Sequence, residues 1–180
     1  MGAFEKVNSG GRLPCSGESG TGEYTGAKTV GNLVMKFTGC EMRLGLTCNS
    51  EGKGPGEIAT LPLEGELGVV KLGTNPPLNN RLGLVLFGPE HGPLAKFACS
   101  TIIVAVQGSF IHPIATNKML LAATEKYAAA KGEQKPDKFV GEGVDAHTLV
   151  FEEGIPPDEG ALILEQTLTN EQAVEASSVN

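Results

Sequence analysis

The amino-acid sequence predicts an all-β protein, built as an antiparallel β-sandwich or barrel with at most one short helix. The first observation is that 25 glycines and 11 prolines divide the chain at short intervals, as in proteins with many turns. The second is that apolar, β-branched runs of strand length lie between these turns. The third is the length of 180 residues, which suits one domain. We therefore expect a single β-rich domain over residues 1–180, and we leave open whether its N-terminus is complete.

Two strand regions stand out in the first half of the chain. Residues 29–38 combine β-branched and apolar side chains and predict one strand. Residues 56–72 alternate apolar and polar side chains over a longer stretch. This stretch predicts two strands that meet near Glu64 and Gly65, with Pro62 at an edge or a bulge.

The second half of the chain continues the same pattern. Residues 81–87 predict another strand. Residues 94–114 form the most apolar stretch and predict a buried strand or a bent pair of strands, with Gly108 at the bend. Residues 149–151 and 161–174 are predicted to be the closing strands.

The segment from Thr116 to Lys131 is ambiguous. Its alanine, leucine, methionine, glutamate and lysine residues are strong helix formers. Thr116 is a suitable N-cap, and Gly132 stands where a helix often ends. Local propensity therefore favours a helix, and a strand here requires tertiary contacts that override it.

Composition argues against several classes of binding protein. The chain carries 14 basic and 21 acidic residues, a net charge of −7, and the basic residues are scattered. Nucleic-acid binding is disfavoured because phosphates are bound by clustered lysine and arginine, and attraction to anionic lipid is disfavoured for the same reason. With no tryptophan and two tyrosines, the chain has little aromatic surface for a sugar. No apolar run is long enough for a transmembrane segment, and no signal peptide is visible.

Four cysteines, Cys15, Cys40, Cys48 and Cys99, predict two disulfides, because no pair has the close spacing of a zinc ribbon or a redox motif. Disulfides indicate an oxidising compartment, so we expect a secreted or envelope-associated protein. We favour Cys40–Cys48, across a short connection that carries Gly45, together with Cys15–Cys99. Two other pairings stay open, Cys15–Cys40 with Cys48–Cys99 and Cys15–Cys48 with Cys40–Cys99, and so does a protein with four reduced thiols.

Residues 15–20, Cys-Ser-Gly-Glu-Ser-Gly, are superficially similar to the sequence around the nucleophile of chymotrypsin-like proteases. Those enzymes place histidine and aspartate before the serine, whereas His91, His112 and His147 all follow Ser19. The neighbouring glycine-rich residues 17–26 lack the flanking strand and helix of a nucleotide-binding loop. We therefore predict a bulged hairpin region here and assign no catalytic residue and no cofactor.

Two further groups of polar residues are candidates for an acid–base pair and for a calcium site. Asp145 and His147 lie two residues apart, which would place them on one face of a strand as an acid–base pair. The acidic residues 152–153 and 158–159 bracket a proline turn where carboxylates could ligate calcium, but the spacing of a calcium loop is missing. The sequence therefore assigns no metal site.

Five phrases of the sequence are distinctive in combination: GTGEYTG at residues 20–26, FTGC at 37–40, GEIATLPLEGELG at 56–68, KGEQKPDKF at 131–139 and TLTNEQAVE at 167–175. The set resembles a family of actinobacterial proteins without an established activity, whose members are exported, contain cysteine and occur in many copies. The resemblance implies a strand rather than a helix over residues 119–130, and it implies a leader and further β sequence before the present N-terminus.

These observations favour an extracellular or envelope-associated structural or binding domain without catalytic activity. Its expected partner is a protein or a component of the cell surface. The alternative is a small hydrolase in which His147, Asp145 and a serine converge. A concave site with converging histidine, acid and serine would favour the enzyme, and a packed interior would favour the binding module.

Overall fold

The structure is a computed structural model. It describes residues 2–6, 8–77, 79–114, 119–127, 133–143, 147–152 and 157–177. The predicted pair partner Asp145, Glu153 and the two ends of the segment from Thr116 to Lys131 lie outside the described residues.

The described residues form fourteen strands and two single-turn 3₁₀ helices, and every strand pairing is antiparallel. The 3₁₀ turns span Arg43–Gly45 and Pro89–His91. The strands are β1 (Gly2–Lys6), β2 (Arg12–Cys15), β3 (Gly17–Tyr24), β4 (Thr29–Thr38), β5 (Glu41–Met42), β6 (Leu46–Asn49), β7 (Ile58–Ala59), β8 (Leu63–Lys71), β9 (Arg81–Phe87), β10 (Ala95–Cys99), β11 (Ile102–Pro113), β12 (Leu120–Tyr127), β13 (Leu149–Glu152) and β14 (Asp158–Val174).

The strands form one sheet that curls into a nearly closed barrel, which confirms the all-β prediction. The main path runs β2-β1-β14-β13-β11-β9-β8-β4-β3. Its two edge strands, β2 and β3, follow each other directly in the chain and are separated only by Ser16. Tyr24 of β3 donates a hydrogen bond to Asn170 of β14 over 3.0 Å, so side chains bridge the remaining gap.

β11 is the strand that connects the two halves of the barrel. Up to Gly108 it pairs with β10 and β13, and from Ser109 onward it pairs with β9. Gly108 has a φ of +93°, a conformation that residues with a Cβ rarely adopt. The predicted pair of strands within residues 94–114 is confirmed, but the turn that divides it is at Ser100. Gly108 lies inside β11, where the strand changes partners.

The helix that local propensity favours in the segment from Thr116 to Lys131 is wrong for its described part. Leu120–Tyr127 forms β12, which pairs with β14 along its length. The ladder to β14 supplies backbone hydrogen bonds that outweigh a helix propensity of a few tenths of a kcal/mol per residue. One other prediction needs adjustment in detail, because the strands β7 and β8 meet at Thr60–Pro62 rather than at Glu64–Gly65. The bulged hairpin predicted around residues 17–26 is confirmed, since β3 pairs antiparallel with β4 and its register shifts after Thr21.

The barrel interior is packed with apolar side chains. Phe4 lies at its centre, with ring centroids 5.0 Å from Phe37, 5.4 Å from Phe97 and 6.4 Å from Phe151. One gap of about 10 Å³ remains between the apolar side chains, which is at the lower limit for a water molecule. This part of the interior is therefore a core and offers no room for a ligand.

None of the helices in the described ranges has both the length and the apolar character needed to cross a membrane.

Candidate functional site

All four cysteines form disulfides, but the favoured pairing is wrong. The bonds are Cys15–Cys40 and Cys48–Cys99, which is one of the two alternative pairings. Cys40 and Cys48 do lie side by side, because the Cys48 N–H donates to the Cys40 carbonyl over 3.0 Å. Their side chains, however, are bonded to cysteines on other strands. Two buried disulfides indicate an oxidising compartment.

Strand register explains why these pairs form. Antiparallel pairing of β6 with β10 places Cys48 directly opposite Cys99. Cys15 ends β2, and Cys40 follows β4 after Gly39, whose φ is +61°. A Cβ at Gly39 would overlap the hydroxyl of Ser16, so glycine is needed where the two chain segments approach. These contacts join residues that are 25 and 51 positions apart, which local spacing does not reveal.

The disulfides hold both ends of a short hairpin, residues 40–48, which we call the anchored hairpin. Cys40 and Cys48 at its base are fully buried. Its tip points away from the core: Leu44 is fully exposed, and Met42 and Leu46 are 38% and 37% exposed. The hairpin therefore presents three apolar side chains to solvent from a covalently fixed base.

Leu44 also has an unfavourable backbone conformation. Its φ of 71° and ψ of 21° lie in the left-handed region, which costs a residue with a Cβ about 1 kcal/mol or more. Gly45 follows with a φ of +77°. Because Leu44 is fully exposed, burial in the folded chain does not offset this cost, and a strained, exposed residue of this kind is a reason to look for a functional role.

A second group of side chains converges on the outside of the barrel. Ser109 Oγ lies 2.9 Å from His147 Nδ1, and His147 Nε2 lies 3.1 Å from Glu142 Oε2. We call these three residues the Ser109 cluster. Ser109 is half-buried, and the side chains of His147 and Glu142 are 18% and 38% exposed. The group is thus accessible at the surface.

Backbone contacts fix each member of the Ser109 cluster. Ser109 N–H donates to the Thr148 carbonyl over 3.1 Å, and His147 N–H donates to the Asp137 carbonyl over 2.8 Å. Glu142 Oε2 accepts the Phe139 N–H over 2.8 Å. The Phe139 ring also packs edge-on against the His147 ring, with centroids 5.6 Å apart.

The other candidate residues from the sequence lie apart from this cluster. Ser19 is exposed on β3 opposite Lys36, and His91 stacks on Phe87 in the turn after β9. His112 is buried in β11, where burial lowers its pKa to about 4. Of these candidates, the structure brings His147 to a serine, Ser109.

Two of the acidic residues considered as calcium ligands, Asp158 and Glu152, accept hydrogen bonds from protein groups. Asp158 accepts hydrogen bonds from the Asn8 backbone, the Asn8 amide and the Ser9 hydroxyl, which ties the β1–β2 turn to β14. Glu152 accepts a hydrogen bond from Gln107. Across the described ranges, no three histidine, cysteine or acidic side chains are grouped closely enough to hold a metal ion.

Sequence reasoning missed Ser109, Glu142 and the exposed tip of the anchored hairpin. Ser109 and His147 are 38 residues apart, so no motif links them. The hairpin did carry a signal: leucine and methionine alternate with charged or small residues between two cysteines at residues 41–47. An apolar run in a short connection between two closely spaced cysteines is a reason to expect an exposed apolar surface.

We compared the chain with protein-family models, with curated proteins and with solved structures, and nothing matches it in any of the three comparisons.

Proposed function

We propose that this chain is an exported binding domain that contacts a partner protein through the anchored hairpin. The observation that carries the proposal is the fully exposed, left-handed Leu44 at the tip of a hairpin whose base is held by two disulfides. The two buried disulfides and the resemblance to exported actinobacterial proteins both support export.

The anchored base favours binding because it lowers the entropy lost on association. A flexible loop must be ordered when it binds, at a cost of about 0.5–1.5 kcal/mol for each immobilised side chain. Here Cys40 and Cys48 are each fixed to a separate strand, and the hydrogen bond between their backbones closes the hairpin. The backbone at the base of the hairpin is therefore fixed before a partner arrives, so less backbone entropy is lost on binding.

The apolar surface extends beyond the tip. β10 lies between β6 and β11, and the register places Ile102 opposite Cys99 at the start of β11. Ile102 and Ile103 are both exposed. These two isoleucines add exposed apolar side chains on a strand that is joined to the base of the hairpin through β10, and exposed apolar surface of this kind commonly marks a protein contact.

Charge favours a protein rather than a lipid bilayer as the occupant of this surface. Glu41 and Arg43, both exposed, place one negative and one positive charge among the apolar residues of the tip. The whole chain carries a net charge of −7. Anionic lipid attracts clusters of basic residues, whereas apolar side chains surrounded by polar and charged residues of both signs are typical of protein interfaces.

The test places a photo-reactive amino acid at position 44 of the full-length protein in the cells that produce it. We expect one discrete protein adduct. An excess of the wild-type protein without the photo-reactive residue should abolish this adduct, because it occupies the partner. An excess of the Leu44→Asn variant should leave the yield of the adduct unchanged. Asn removes the apolar contact and tolerates the left-handed conformation, so this variant should be as stable as the wild type or slightly more stable.

The matched control carries the photo-reactive residue at Leu72, which is 54% exposed on a different loop. The same adduct from both positions would contradict the proposal, and so would equal competition by the wild type and by Leu44→Asn. If only lipid is labelled at position 44, the occupant is a membrane and the proposed protein partner is wrong.

A further inference from the structure

The hydrogen bonds of the Ser109 cluster determine where the proton on His147 resides. An ionised Glu142 has no proton to donate, so Nε2 of His147 must carry the hydrogen in the 3.1 Å contact. In the neutral ring, Nδ1 then has a free lone pair. This lone pair is the acceptor that faces Ser109 Oγ at 2.9 Å, and the serine hydroxyl therefore donates to it.

This chain of donors and acceptors is the arrangement by which a serine hydroxyl is activated. A base within hydrogen-bond reach of the hydroxyl takes its proton, and an acid on the far side of the base fixes the tautomer. In the familiar enzymes Nε2 faces the serine, whereas here Nδ1 does. The chemistry needs only that the nitrogen opposite the acid carries the lone pair, and either ring nitrogen can fill that role.

From this geometry we infer that Ser109 is an acyl-accepting nucleophile for small carboxylic esters. His147 is its general base, and Glu142 is a positioning residue. This activity is separate from the proposed binding through the anchored hairpin, because the two surfaces share no residue.

The reaction balances with water as the only co-reactant. Ser109 Oγ attacks the ester carbonyl carbon as its proton passes to His147 Nδ1. The carbon–oxygen bond to the alcohol breaks, and the departing alkoxide takes that proton. Water then attacks the acyl-serine in the same way, with His147 as base, and releases the carboxylic acid and free Ser109.

The surroundings of the cluster indicate the size of the substrate. The barrel interior beneath it is filled, so no deep acyl pocket is available there among the described residues. The Phe139 ring packs against His147, and Val140 beside it is exposed. A short acyl group or an aryl alcohol resting on this apolar surface fits the site better than a long lipid chain.

The test uses the intact, disulfide-bonded protein with p-nitrophenyl acetate and with a fluorophosphonate probe. We expect covalent labelling at the peptide that contains Ser109, located by mass spectrometry, and release of p-nitrophenol. The Ser109→Ala and His147→Gln variants should each slow release by about a hundredfold. Ser19→Ala, which changes an exposed serine on β3, is the matched control and should leave the rate unchanged.

Glu142→Gln separates a positioning role from a structural one. An amide can donate to Nε2 and so permit the opposite tautomer, which removes the base from Ser109 without removing a side chain. We expect release to slow by about tenfold or more at an unchanged melting temperature. Labelling that maps elsewhere on the wild-type protein would overturn the inference without any variant, as would a rate that Ser109→Ala does not change.

Discussion

His112 and Glu18 are two buried ionisable side chains that give the fold opposite dependences on pH. Burial of the His112 ring disfavours its charged form and lowers its pKa from 6.5 to about 4. Burial of the Glu18 carboxyl raises its pKa from 4.5 to about 6. The first residue favours the folded state at neutral pH, and the second favours it in acid.

The contribution of His112 is lost on acidification. In the unfolded chain the imidazole takes up a proton below pH 6.5, whereas in the folded protein it does so only near pH 4. The free energy of unfolding should therefore fall by about 3 kcal/mol as the pH falls through this window. In the His112→Leu variant, the free energy of unfolding should depend less on pH between 4 and 6.5. Urea unfolding at several pH values between 4 and 7.5 measures it, and an unchanged slope in the variant would show that His112 does not titrate in this way.

Glu18 makes the opposite contribution, present below pH 4.5 and lost as the pH rises through 6. Above that value the folded protein must hold a charged carboxylate where burial disfavours it. Glu18→Gln keeps the shape of the side chain and removes the charge. Its stability relative to the wild type should therefore be higher at pH 7.5 than at pH 4, and a difference of the reverse sign would refute the burial argument.

β11 shows how one element couples the two halves of the barrel. Its change of partner occurs at Gly108, where the chain has a φ of +93° and lies against the Thr148 carbonyl. A Cβ at this position would overlap that carbonyl oxygen. Both the conformation and the contact therefore require glycine.

Gly108→Ala should destabilise the fold by about 3 kcal/mol or more, because backbone strain and overlap add together. Gly141 provides a matched control, since its φ is also +93° but a Cβ there would have open space around it. Gly141→Ala should cost about 1 kcal/mol from conformation alone. Denaturant unfolding of both variants measures the difference, and equal losses would mean that the contact with Thr148 contributes nothing.

Elements defined by local pattern were predicted well, and elements defined by distant partners were not. β4 and β9 have the predicted bounds because their apolar and β-branched residues select a strand locally. Local sequence did not predict β12, because its alanine-rich residues favour a helix. This segment is a strand because it pairs with β14, some forty residues away in the chain. The same limit applies to the Ser109 cluster, whose members meet only after the barrel has formed.

At the scale of the whole molecule, the disulfides contribute much of the stability. The two enclosed loops, of 25 and 51 residues, do not overlap in the chain, so their chain-entropy contributions of about 3.5 and about 4 kcal/mol add. A typical domain is stable by only about 5–15 kcal/mol. Reduction should therefore lower the melting temperature by about 15–30 °C.

Calorimetry with and without a phosphine reductant measures this shift, and the reductant should act slowly at room temperature because all four cysteines are buried. The double variants Cys15→Ala/Cys40→Ala and Cys48→Ala/Cys99→Ala assign the loss to each bond. A shift of under about 5 °C on full reduction would contradict the additive estimate.

The order of the cysteines along the chain has a consequence for biosynthesis. Each disulfide joins consecutive cysteines, first with second and third with fourth. A chain that emerges from its N-terminus into an oxidising compartment exposes Cys15 and Cys40 first, Cys48 eight residues later and Cys99 last, so the native bond Cys15–Cys40 is the first that can form. Once that bond has formed, Cys48 and Cys99 are the two thiols that remain, and they can bond only to each other. Oxidation in the order of emergence therefore yields the native pairing without disulfide exchange. The barrel itself is completed later, because β1 pairs with β14 near the end of the chain.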